Sequence, residues 1–193
     1  TLDDASAIGE LADIAAVAPE VSTQAVVVAG DENTTTTIAG TTPDYLAVRT
    51  FSVWQGSFLT DVAVDEELRV AVLGSTTADD LGLDEDAIGS DILLGGIPFR
   101  VVGILQPKGT SSSASQDDQV LIPISTAQRY FVAGTTVRSI AVSVASADAI
   151  DLTKARMTAV LQERHGTDGT NDDFSISDQA QLLDTFSSVT GLL

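Results

Sequence analysis

The sequence predicts an α+β fold with two lobes: a mixed α/β lobe assembled from both chain ends and a β-rich lobe inserted between them. Three observations carry this expectation. The C-terminal part alternates apolar runs with helical periods in the order strand, helix, strand, helix. The N-terminal part reads helix, strand, strand. Between them stand TPDYLAV from Thr42, SVWQGSFLT from Ser52, RVAVLGS from Arg69, GSDILLGGIPFRVVGIL from Gly89 and DDQVLIPISTAQRYF from Asp117. These read as short strands and a hairpin with two short helices. The expected boundaries are residues 1–55 and 136–193 for the first lobe and 56–135 for the insert.

Asp3 to Ala18 place Ile8, Leu11, Ile14 and Ala15 on one helical face, with Pro19 as the stop. Asp3 and Asp4 suit the positive N-terminal end of that helix. Val21 to Val28 and Thr34 to Ile38 read as paired strands around Ala-Gly-Asp-Glu-Asn. A short helical segment follows around Tyr45 and Leu46, then a strand from Arg69 to Leu73 and a helix from Thr76 to Leu83. Gly95-Gly96 between Ile92–Leu94 and Ile97–Leu105 is a hairpin signal, because primed turns need positive φ. Pro98, lacking an amide proton, belongs at an edge or a strand start. Residues 109–119 are small and polar and read as a mobile loop. Val120 to Ile124 is again strand, and Ser125 with Gln128 resembles a capping box. Arg138 to Val144 alternates as a strand. A helix from Asp148 to Arg164 shows Ile150, Met157, Val160 and Leu161 on one face. Phe174 to Ile176 reads as a last strand, and Ser177 caps a final helix apolar at Leu182, Leu183, Phe186, Val189 and Leu193. That unfinished apolar stripe reads as a chain cut from something longer.

The 193 residues carry 28 acidic against 9 basic side chains, a formal charge of −19. Such a surface repels phosphate backbones, so no nucleic acid is expected as a partner. There is no cysteine, hence no disulfide framework and no thiolate metal site. No apolar run reaches the roughly 18 to 20 residues that span a bilayer. The single histidine, His165, ends a predicted helix, where the dipole favours it. Neither G-x-S-x-G nor a glycine-rich phosphate loop occurs. Asp168 to Asp173 superficially resembles a calcium loop, but positions six and twelve hold Asp173 and Gln179. Asp84-Glu85-Asp86 lacks the spacing too. Asn33-Thr34-Thr35 fits a glycosylation sequon. The expected site list is therefore empty: no catalytic, cofactor-binding or metal-ligating residue, no cofactor, and no enzyme. Tyr45, Phe51, Trp54 and Phe58 cluster around Gly56; so dense a group could stack a ligand or pack the junction between lobes.

Taken in order, Val17–Pro19, Gly40–Tyr45, Trp54–Phe58, Val70–Gly74, Gly89, Pro98–Gly103 and Val120–Gln128 make the chain resemble the periplasmic core domain of MacB- and FtsX-type ABC transporter permeases. Ser57 stands where many relatives carry Arg, and Leu81-Gly82-Leu83 where Leu-Phe-Gly is frequent. The resemblance implies a Porter-like lobe made by the chain ends and a Sabre-like insert. It implies a non-catalytic domain on the extracytoplasmic face of a bacterial membrane, transmitting ATP-driven motion to export a substrate or act on an envelope partner. The implied partners are a second permease subunit, as a homodimer, and a cytoplasmic ABC ATPase reached through membrane helices. Residues 109–119 are the expected partner-contact loop. The rival expectation is a free-standing secreted ligand-binding or adhesion module.

Overall fold

The structure, a computed structural model, describes residues 1–108 and 114–178. Helix α1 (Leu2–Gly9) starts at a capping box between Thr1 and Asp4. It does not run on to Ala18. Asp13 takes a left-handed φ of 73° and turns the chain into a 16-residue strand, β1 (Ile14–Ala29), which passes straight through Pro19. The alanines at 15, 16 and 18 satisfy a helical period as easily as a strand period. Pairing to neighbouring strands decides the matter, as it regularly does for short side chains. Pro19 stands next to the point where β1 changes partner.

Strand β2 (Glu32–Thr41) folds back on β1 in the register Val21↔Gly40 to Ala29↔Glu32, around a two-residue turn with Gly30 at φ 59°. Helix α2 (Tyr45–Arg49), strand β3 (Val53–Gly56) and helix α3 (Asp61–Asp65) follow. Thr60 caps α3 by accepting from the Ala63 amide. Strand β4 (Val70–Leu73) leads into helix α4 (Ser75–Asp80). Strands β5 (Asp91–Leu94) and β6 (Ile97–Leu105) form the expected hairpin, with Gly95 and Gly96 at φ 55° and 84°. Pro98 is the second residue of β6 and faces Leu93.

Helix α5 (Ala114–Asp117) occupies part of the stretch expected to be a loop, and Asp117 is buried. Residues 109–113 lie outside the described residues. Strand β7 (Gln119–Pro123) runs into helix α6 (Ile124–Tyr130). Ser125 does not cap α6: the N-cap is Pro123, and the Ser125 hydroxyl donates to the Val64 carbonyl, pinning α6 to the end of α3. Strand β8 (Ser139–Val144) and helix α7 (Ile150–His165) complete the described elements. Phe174 and Ile176 form no strand. They are irregular and lay their side chains on a small apolar cluster instead. The expected helix after Ser177 falls almost wholly outside the described residues.

The strand pairings close on themselves. β1 pairs β2, β2 pairs β7, β7 pairs β4, β4 pairs β6, β6 pairs β5, and β5 returns to β1. Residues 21–41 are thus staves of the same six-stranded ring as β4 to β7. The period of two then sorts the side chains. Val27, Ala71, Leu73, Ile92, Leu94, Phe99, Val101, Val120 and Ile122 point to one cluster, while Val72, Leu105 and Leu121 join a second with Tyr45, Phe51 and Leu59. A bulge at Val102 in β6 keeps both faces filled, and Ser57 donates its amide to the Val102 carbonyl. A third cluster, Ile8, Met157 and Leu161, is made by α1 and α7 over the β1–β8 pair.

Candidate functional site

Only nine Lys and Arg residues offset 28 carboxylates, so their placement is informative. Six of them, Arg49, Arg100, Arg129, Lys154, Arg156 and Arg164, sit in ion pairs. Exposed pairs of this kind are each worth about 0–1 kcal/mol. One constellation differs, because its carboxylate is buried and its partners come from opposite ends of the chain.

That carboxylate is Asp4, on the first turn of α1 and 4% exposed. Arg164 Nε donates to its Oδ1 at 2.7 Å. The Thr1 hydroxyl donates to its Oδ2 at 2.7 Å. His165 Nε2 lies 3.3 Å from the same oxygen, and its Nδ1 is 2.6 Å from Asp173. Phe174 meets the imidazole edge-on at 6.0 Å. The cluster clasps α1 to the last turn of α7, where helix carbonyls also favour a cation.

Burial alone would push the Asp4 carboxyl up. Hydrogen bonds from Arg164, the Thr1 hydroxyl and His165 oppose it and hold the group below the usual carboxylate range. The hydrogen bond to Asp173, then that to Asp4, raises His165 above its ordinary 6.5. The raised His165 stabilises the fold fully below about pH 6.5 and loses that contribution as pH climbs through its folded value. The depressed Asp4 contributes above its ordinary 3.8 and fails only as pH falls through its lower folded value. The clasp is therefore complete between the two ordinary values. Asp4→Asn should cost about 2 kcal/mol, a fall in Tm of roughly 4 to 8 °C at this chain length. The Tm difference between wild type and His165→Gln should be larger at pH 5.5 than at pH 8. Equal differences at both would show that the imidazole is not acting as a cation.

The groups that meet this histidine are the carboxylates of Asp4 and Asp173 and the Phe174 ring. The carboxylates of loop 168–173 are taken up within it and by α7: Asp168 accepts from the Thr170 amide, Asp172 from the Gly169 amide and Gln162, and Asp173 meets His165. Among the described residues no three His, Asp or Glu side chains converge as metal ligands. Nor is any helix among them long and apolar enough to cross a membrane. The aromatic group divides. Tyr45 and Phe51 stack at 5.7 Å inside the second cluster and Phe58 lies against it, whereas Trp54 is 50% exposed. Core packing accounts for three of these rings, not the fourth. The Asp4 clasp was missed in the sequence, where its only trace is an acidic first turn at one end and Arg164-His165 at the other.

With this geometry in view, comparison with known proteins is direct. The periplasmic region of MacB from Actinobacillus actinomycetemcomitans superposes over 96% of this chain and 82% of its own, with a TM-score of 0.83 at 24% identity. The extracellular domain of the transporter YknZ from Gram-positive bacteria covers 87% of this chain and 85% of its own, with a TM-score of 0.75 at 21% identity. These show the fold. In sequence, the macrolide export ATP-binding/permease protein MacB of Hyphomonas neptunium is 38% identical over 95% of this chain. The pyoverdine export ATP-binding/permease protein PvdT of Pseudomonas entomophila is 29% identical over the whole of it. The chain spans 28% and 30% of those two proteins. The profile of the MacB-like periplasmic core domain matches residues 1–160, and the chain belongs to that family. It is an extracytoplasmic domain of the kind that ABC transporter permeases carry.

Proposed function

We propose that this domain is a non-catalytic mechanical relay, passing ATP-driven motion across a bacterial membrane to export a substrate or to act on an envelope partner. In the intact transporter it works as a pair with a second permease subunit, driven by a cytoplasmic ABC ATPase. Its relatives are named for macrolide and pyoverdine export, which makes a small exported molecule the first cargo to test. The two-lobe division belongs to the same proposal. The chain ends, with α1, α7 and the β1–β8 pair over their own apolar cluster, form the Porter-like lobe, and residues 56–135 form most of the Sabre-like one.

The observation that supports a relay most is β1. One strand, about 50 Å long at ordinary strand rise, pairs with β8 over residues 14–20 and with β2 over 21–29. It runs unbroken from the clasped terminal unit into the closed ring. The test is a Gly-Gly insertion between Pro19 and Glu20 in the full-length permease. ATP hydrolysis should persist while export per ATP falls at least tenfold. Folding of the domain is checked by circular dichroism. Unchanged export by a folded variant would end the proposal.

A further inference from the structure

Trp54, the one tryptophan and the one ring of its group left outside the core, lines a cleft of about 480 Å³. The cleft lies between α4 and the strands β3 and β6. Its apolar wall is Trp54, Leu83, Ile104 and Pro107, and its charged groups are Asp79 and Asp117. This size is ordinary for a small-molecule site. Asp117 is 7% exposed, and among the described residues its two oxygens accept only from the Lys108 backbone amide, at 3.1 and 3.2 Å. The nearby cation is turned elsewhere: the Lys108 ammonium sits 4.3 Å from the Phe51 ring centroid and donates to the Arg49 carbonyl. Asp79 is in no ion pair among the described residues. A buried carboxylate served by one amide, a second carboxylate and a half-exposed indole thus share one concave surface.

The geometry points to a binding site for a small organic cation with an apolar body, of the alkyl- or benzylammonium class. The negative face of an indole attracts such a cation and its flank takes the apolar part. Asp79 and Asp117 supply the counter-charge. An anion would meet both carboxylates and the −19 surface. A bare metal ion would lack converging ligands. Organic cations fit because they need few direct ligands and benefit from desolvation against apolar walls.

Since Trp54 is the only indole, its fluorescence reports on the cleft directly. Benzyltriethylammonium, titrated into the full chain at high salt to screen the general acidic surface, should shift the emission saturably. Benzyl alcohol and benzenesulfonate should not. Asp79→Asn should weaken the cation's binding roughly tenfold, and Asp151→Asn on the distant α7 should leave it unchanged. Three results would each overturn the assignment: no saturable change, equal binding of benzyl alcohol, or equal losses in the two Asn variants.

Discussion

Gly103→Ala should be among the most damaging methyl additions in this chain, costing about 3 kcal/mol or more. A Cβ at Gly103 would lie 2.1 Å from the Ser57 carbonyl oxygen and 3.1 Å from its carbonyl carbon. Both obstacles are backbone. They cannot rotate aside, because the Ser57 amide is itself bonded to the Val102 carbonyl at 2.8 Å. Relief requires β6 to move away from the segment after β3, and β6 is a stave of the ring paired with β3, β4 and β5. Gly96 is the control. It sits at φ 84° in the hairpin turn, but nothing lies within 4 Å of a new Cβ. Gly96→Ala should therefore cost only the left-handed strain, about 1–2 kcal/mol. Urea melts of the two variants measure the difference. A Gly103→Ala midpoint at or above that of Gly96→Ala would show that the close approach is relieved cheaply.

That contrast also explains what was legible in the sequence. The Gly95-Gly96 hairpin could be read because a two-residue turn with two positive φ values demands glycine, a local requirement. The strands at 70–73 and 119–123 could be read because runs flanked by turn residues have few alternatives. The first strand could not. Ala15, Ala16 and Ala18 fit either period, and only β8 and β2, far along the chain, select the extended form. Ser125 and Gln128 have the spacing of a cap, yet Ser125 is drawn to Val64 by tertiary packing. Ring closure is equally non-local, since it depends on Val27 and Val28 meeting Leu94 and Leu93. The clasp joins residues 160 apart, a distance over which periodicity is silent. Family resemblance was legible because ordered short motifs survive where single contacts leave no mark.

Phe99→Ala is the second variant expected to have a large effect, and it tests the proposed lobes. Phe99 is 1% exposed, fills the ring interior and packs against Phe131 with ring centroids 6.0 Å apart. Truncating a phenylalanine so enclosed costs about 3–5 kcal/mol, a drop in Tm of roughly 6 to 20 °C for a chain of this length. Leu161→Ala, in the separate cluster of Ile8, Met157 and Leu161, should cost about 2–4 kcal/mol. The two losses need not spread alike. If the chain ends form their own lobe, Leu161→Ala should speed amide exchange in α1, α7 and β8 while β4, β6 and β7 keep wild-type protection. Phe99→Ala should instead loosen the ring strands. β1 belongs to both units, so its residues 14–20 should follow α7 and its residues 21–29 should follow the ring. Uniform acceleration across all these strands in the Leu161→Ala variant would mean a single cooperative unit. The clasp and the unbroken β1 would then make one rigid body of the domain, and the proposed division into lobes would fail.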